Sequence, residues 1–281
     1  MSDKNIKDNN NLAVEVKNLT YTFPEGKAAS IIDLSLSIKW NKKVLVVGNN
    51  GAGKSTLLKL LSGKHLCLGG DIRVGGRNPF APNNDQESVT LTTYLGTEWA
   101  SMSIIHRDIG VLELLESIGL EHYRERGERL IQILEVDTNW RMFKLSDGQK
   151  RRVQLCMGLM KPFKVLLLDE VTVDLDVVAR DRLFQFLDDE TKQRECTVVY
   201  ATHIFDGLAQ WADEVIHLQD GRIAKMLDYG RDIEFTKDIE GVQEQSASDN
   251  KPYKVVLGYM KSLYPLALHW LSRDQDAHHA A

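Results

Sequence analysis

The chain has 281 residues, 43% of them hydrophobic and 27% charged, with a formal net charge of −5. This is the balance of a globular protein large enough to bury a core without disulfides or structural metals, and its acidic excess argues against nucleic acid or an anionic membrane as the main partner. Cys67, Cys156 and Cys196 are scattered, form no C-x-x-C pair and read as reduced thiols, and no apolar run approaches the ~20 residues of a membrane helix.

Residues 1–11 are polar, lack the apolar centre of a signal peptide and read as a disordered N-terminus. Leu12 to Phe23 alternates apolar and polar residues, as does Ile31 to Trp40 after a turn at Pro24 to Lys27, so an antiparallel β layer is expected first. Lys43 to Val47 is short and apolar, suiting a strand buried on both faces of a parallel sheet. Ser55 to Ser62 follows with leucines at 57, 58, 60 and 61, and Gly63 stands where a helix C-cap glycine is expected. Gly69 to Arg77, with Gly-Gly on either side of D-I-R-V, reads as a short hairpin arm. The stretch of about 88–162 has mostly helical spacing and reads as an inserted helical subdomain. Lys164 to Asp169 and Thr197 to Ala201 are further core strands, with an amphipathic helix from Val177 to Leu187 between them. Strand–helix alternation predicts an α/β fold built on a parallel sheet. Residues 231–281 read as an extension, in which Asp238 to Lys251 is a polar linker. Leu263, Leu266, Ala267, Trp270 and Leu271 form a helical stripe, with Pro265 in the first turn. Packing on its own domain is the ordinary outcome for such a helix, and docking a partner is the alternative.

The strongest chemical signal is G-N-N-G-A-G-K-S-T, comprising Gly48, Asn49, Asn50, Gly51, Ala52, Gly53, Lys54, Ser55 and Thr56. It fits G-x-x-x-x-G-K-[ST] and lies between a buried strand and a helix, the context that a phosphate loop needs. Glycines allow the backbone N–H groups to turn inward onto phosphate, assisted by the positive end of the following helix. Lys54 is expected on the β- and γ-phosphates, Ser55 on Mg²⁺ and Thr56 near the α-phosphate. The apolar run Val165 to Leu168 ends in Asp169 and Glu170. The first acid suits Mg²⁺ and its water shell, and the second suits the attacking water as orienting group or general base.

These motifs resemble the nucleotide-binding domain of ATP-binding cassette (ABC) proteins over residues 12–230. Leu145 to Gln149 reads L-S-D-G-Q, close to the family's leucine–serine–glycine–glycine–glutamine signature, and K-R-R-V-Q-L follows it. Thr172 to Asp176 resembles the D-loop, with Asp176 at its end, and His203 in A-T-H-I-F-D resembles the switch histidine. Phe23 falls where the family stacks an aromatic ring on adenine. G-K-H-L-C-L-G-G, Y-L-G-T-E-W, R-E-R-G-E-R-L and D-E-V-T-V-D-L-D also resemble one soluble branch. That branch comprises fungal ABC ATPases associated with the carbon-catabolite-repressor–NOT regulatory complex, with plant relatives. The resemblance implies a P-loop NTPase core, ATP and Mg²⁺ as cofactors, and a cytoplasmic or nuclear ATPase tied to gene regulation. No membrane insertion is expected.

Two departures stand out. Asp147 replaces the first signature glycine: it either repels phosphate or caps the helix, and capping is the favoured reading. The family's magnesium-sensing glutamine falls, by strand alignment, at Glu98, which could still ligate Mg²⁺. The resemblance further implies a composite site, with Ser146, Asp147, Gly148 and Gln149 serving the nucleotide of another cassette. One set of motifs therefore implies an ATP-dependent homodimer. A regulatory ATPase is the favoured reading, with Lys54, Glu170 and His203 as its catalytic residues. A transporter's ATPase subunit and a nucleotide-gated scaffold with negligible turnover are the alternatives.

Overall fold

The computed structural model describes residues 12–24, 26, 28–81, 89–96, 108–205, 208, 211–236, 242–245, 254–258, 266, 269 and 270. Residues 1–11, Glu98, and Leu263, Pro265, Ala267 and Leu271 of the C-terminal stripe lie outside them.

A six-stranded sheet carries the fold, made of β3 (Lys43–Val47), β5 (Thr90–Leu95), β6 (Phe163–Asp169), β7 (Thr197–Ala201), β8 (Glu214–Gln219) and β9 (Arg222–Asp228). Its order is β5-β6-β7-β3-β8-β9, parallel throughout except for the antiparallel edge strand β9. Strand alternation divides the buried residues between its two faces. Val44, Val46, Val165, Leu167, Val199 and Ala201 pack toward α1 (Lys54–Leu61) and the antiparallel layer. Leu45, Val47, Leu166, Leu168, Val198 and Tyr200 pack toward the helices of the opposite face. Burial on both faces explains why β3 and β6 read as unbroken apolar runs.

The antiparallel layer has the order β2-β1-β4, from β1 (Leu12–Thr22), β2 (Ala29–Lys39) and β4 (Asp71–Val74). The expected hairpin arm at Gly69 to Arg77 is thereby corrected. Its strand pairs with β1, Val14 opposite Val74 and Val16 opposite Ile72, because those apolar faces meet over α1. The opposite face holds α2 (Val111–Ser117), α3 (Arg124–Ile133), α4 (Asp147–Met160) and α5 (Val177–Gln193). The stretch expected to be a helical insertion from about 88 opens on β5, which belongs to the central sheet. Ion pairs from Arg126 to Glu190 and from Arg129 to Asp189 fasten α3 to α5, and the first is largely buried.

The short α6 (Tyr229–Asp232) leads into a third sheet of β10 (Ile233–Thr236), β11 (Val242–Gln245) and β12 (Lys254–Gly258), in the order β10-β12-β11. A strand thus stands inside the segment expected to be a plain linker. Leu266 and Trp270 are buried in the main core, and the Trp270 ring stacks on His217 of β8 at 4.6 Å. Trp270 also donates its indole N–H to Glu244 at 2.9 Å. These contacts favour packing on the chain's own domain. Among the described residues no helix is long and apolar enough to cross a membrane.

Candidate functional site

The candidate site lies at the C-terminal ends of β3, β6 and β7, where an open parallel sheet leaves a crevice. The loop after β3 turns through Gly51 at φ +86° and Gly53 at φ +103°, left-handed values that glycine adopts freely. Gly53 is the N-cap of α1 and no side chain caps that helix, so its first amides stay available for a ligand. Ala52 N–H donates to the Asn49 carbonyl at 3.1 Å, closing the loop over the exposed Asn50–Gly51 tip. Lys54, 8% exposed, folds back to donate to the carbonyls of Gly48 at 2.6 Å and Asn49 at 3.0 Å. Burial lowers its pKa, opposed by the charges of Glu170 and Asp169. Thr56 accepts from the Ser30 hydroxyl at 3.2 Å, which ties the loop to the start of β2.

The β8–β9 turn, absent from the sequence expectations, braces this loop. Asp220 and Gly221 both have positive φ, the signature of a tight hairpin turn. Gly221 N–H donates to the Ala52 carbonyl at 3.0 Å, and its own carbonyl accepts from Ile32 at 2.9 Å. A Cβ at Gly221 would lie 2.5 Å from the Ser30 carbonyl, so only glycine fits. The Asp-Gly pair between two apolar runs was the available signal.

Asp169 ends β6 with 3% exposure. Its Oδ1 accepts from Ser55 at 3.0 Å, and its Oδ2 accepts from the Tyr94 hydroxyl at 2.9 Å, a contact that sequence reasoning missed. Burial raises the Asp169 pKa, opposed by these two hydroxyls. The donors gathered here are oxygens, as a hard divalent cation requires. Among the described residues no group of three His, Cys, Asp or Glu side chains is placed to hold a metal. That suits Mg²⁺, which keeps most of its shell as water and phosphate and takes few protein ligands. Ser55 and Asp169 therefore fit that ion.

A carboxyl with a raised folded pKa binds its proton more tightly when folded, so stability is lost as pH rises through that value. Asp169→Asn removes the charge and is expected to raise the Tm of the nucleotide-free protein near neutral pH, by roughly 2–4 °C per kcal/mol relieved. The gain shrinks as pH falls and the native carboxyl protonates. Thermal melts of both forms across pH check this.

Glu170 takes φ +55°, a left-handed value that costs a non-glycine residue about 1–2 kcal/mol. Its N–H is held by the Ala201 carbonyl at 2.9 Å, and its Oε2 lies 2.9 Å from His203 Nδ1 and accepts from His203 N–H at 3.3 Å. Strain of this kind persists where the surroundings fix a side chain in a working position. Lys54, Ser55, Asp169, Glu170 and His203 thus converge on one crevice. Phe23 follows β1 and is 40% exposed, with T-shaped ring contacts to Tyr21 at 5.1 Å and to His65 at 5.6 Å.

The signature residues stand apart, at the start of α4. Ser146 is the N-cap: its Oγ accepts from Gln149 N–H at 3.3 Å, and the Gln149 side chain accepts from Ser146 N–H at 2.9 Å, a capping box. The capping expected of Asp147 therefore belongs to Ser146. Asp147 occupies the first turn with its side chain 95% exposed, 3.6 Å from Lys150. Gly148 lies under the Asp174 carbonyl, which a Cβ there would approach to 3.2 Å. Asp176 caps α5 by accepting from Val178 at 3.0 Å and Ala179 at 2.9 Å, and it pairs with Arg152 of α4. The Ala179 amide leads in lowering its pKa.

The family model for the ABC transporter family matches residues 31–173, a span that includes the phosphate loop, the signature and both acids. CCR4-associated factor 16 of Saccharomyces cerevisiae is 60% identical over 276 residues, covering 94% of this chain and 96% of that protein. ABC transporter I family member 20 of Arabidopsis thaliana is 41% identical, covering 95% of this chain and 78% of that protein. Among solved structures, a dimeric bacterial ABC transporter cassette superposes with a TM-score of 0.66 at 22% identity, over 77% of this chain and 98% of that one. An ATP-binding subunit of an ABC transporter gives 0.67 at 20% identity, over 77% and 90%. The cassette fold, the phosphate loop and the full-length likeness to cassette proteins lead to one assignment: the chain belongs to the ABC family.

Proposed function

We propose that the chain is an ATPase that closes head to tail with a second copy around Mg·ATP, hydrolyses it, and uses that cycle to regulate a gene-expression complex in the cytoplasm or nucleus. The hydrogen-bonded convergence of Ser55, Asp169, Glu170 and His203 beside Lys54 carries the hydrolytic reading. Phe23 stacks on adenine, the amides of Gly48–Thr56 cradle the phosphates, and Lys54 turns from its two carbonyls onto the β- and γ-phosphates. Ser55 and Asp169 would hold Mg²⁺, which would supply positive charge to offset that of the phosphates. Glu170 accepts the proton of the attacking water as its oxygen bonds to the γ-phosphorus. The bond to the β,γ-bridging oxygen breaks, giving ADP and inorganic phosphate. His203 holds Glu170 at the angle this needs.

The 60% identity with CCR4-associated factor 16 over nearly the whole of both chains supports the regulatory role. Ser146 to Gln149 lie on a separate element from the phosphate loop, which supports a site completed by a second copy. Light scattering of Glu170→Gln tests the dimer: with Mg·ATP the mass doubles, and with ADP it stays that of one chain. A single-chain mass in both conditions overturns the homodimer. The transporter reading draws on a 30% identical relative, an energy-coupling factor transporter ATP-binding protein of Mycoplasma capricolum, of which this chain spans 59%. Recovery of the native protein in a membrane fraction that survives high salt favours that reading over the first.

A further inference from the structure

Tyr94 is a member of the site with no role so far. It lies in β5 opposite Leu167 of β6, and its ring packs on the sheet face shared with α1. Asp169 stands two residues beyond Leu167, so strand alternation sends it to the same face. Its carboxylate is gripped at both oxygens by hydroxyls from separate elements, Ser55 at 3.0 Å and Tyr94 at 2.9 Å. Lys64 Nζ sits 4.6 Å from the centre of the Tyr94 ring and helps fix it.

Gly96 is what admits the phenol. A Cβ built at Gly96 would lie 2.5 Å from the Tyr94 hydroxyl oxygen and 2.8 Å from Cζ. The hydroxyl therefore fills the volume that a side chain at position 96 would take. The backbone there has little freedom to retreat. The Gly96 carbonyl accepts from Arg151 Nη1 and Gln154 Nε2, each at 3.0 Å, and both donors are buried on α4. A side chain added at position 96 would thus displace the phenol and leave the main chain in place.

We propose that Tyr94 is a positioning residue of the Mg²⁺ site: its phenol, admitted by Gly96, orients the Asp169 carboxylate from the strand. The proposal rests on the reading of Asp169 as the carboxylate that serves Mg²⁺.

Calorimetric binding of a non-hydrolysable ATP analogue to the full chain, with Mg²⁺ and in EDTA, provides the test. The readout is the ratio of Kd in EDTA to Kd in Mg²⁺. Tyr94→Phe keeps the ring and removes the hydroxyl, and is expected to lower that ratio about 10-fold or more while the Kd in EDTA holds, as loss of an orienting partner does at metal sites. Gly96→Ala, which pushes the hydroxyl away, gives the same loss, and the double variant is no worse than either single one because both remove one interaction. A Tyr94→Phe ratio within about twofold of wild type, or losses that add in the double variant, overturns the proposal. Asp169→Asn separates the two levels. If it too keeps the wild-type ratio, the Mg²⁺ reading of Asp169 falls. If it loses the ratio and Tyr94→Phe keeps it, only the role of Tyr94 falls. Melting curves establish that each variant is folded.

Discussion

Glu170→Gln is expected to lower ATP turnover by about 10²–10⁴-fold, the range of a lost general base, while nucleotide affinity stays within a few-fold. The substitution keeps the side chain's shape and its contact with His203, and removes only charge and basicity. Lys54 and the loop amides proposed to hold phosphate are untouched, and one negative charge fewer beside a bound γ-phosphate would not oppose binding. Phosphate release and titration with a fluorescent nucleotide measure the two quantities separately. A turnover within about tenfold of wild type would remove Glu170 from the proton-accepting role. The left-handed backbone adds a second handle. Glu170→Gly loses the carboxylate and relieves the unfavourable φ of +55°, so its turnover falls as far while its Tm rises. Activity and stability moving in opposite directions at one residue mark strain held for function.

Local chemistry made half of this site legible in the sequence. The run from Lys43 to Thr56 encodes strand, turn and helix within a few residues, and Asp169 and Glu170 follow an apolar run that could only be a core strand. The rest depends on pairing between distant segments. β5 is T-L-T-T-Y-L, half polar and half exposed, and it becomes a strand of the central sheet only because β6 offers it an edge. Nothing near Tyr94 announces that its hydroxyl meets a carboxylate 75 positions later. Gly96 explains itself only once that ring lies over it. β11, V-Q-E-Q, is polar and reads as linker, yet it pairs with β12, and its Glu244 holds Trp270 and Lys225. Asp147 shows the opposite error. A capping residue was expected from its type, but position decides, and the residue before it completes the box.

Two inactive variants of this chain are expected to restore activity to one another. Lys54→Ala disables the phosphate loop and leaves the signature intact, whereas Ser146→Arg leaves the loop and places a bulky cation where the signature would meet a partner's nucleotide. Each alone should fall at least ~10²-fold in turnover, since each spoils both sites of a symmetric dimer. Mixed in equal amounts they form mixed pairs, in which one site joins an intact loop to an intact signature and the other joins the two damaged halves. About a quarter of all sites are then whole, and turnover returns to about a quarter of the wild-type value. A site contained in one chain allows no such recovery, because neither variant carries a complete set. Arginine at position 146 also removes the serine that caps α4, a loss of about 1 kcal/mol. Ser146→Asn, a cap of equal quality, controls for that loss: it keeps α4 stable, loses activity alone, and recovers when mixed with Lys54→Ala. Failure of both mixtures to exceed the sum of their parts would leave Ser146 to Gln149 as a helix cap and no more.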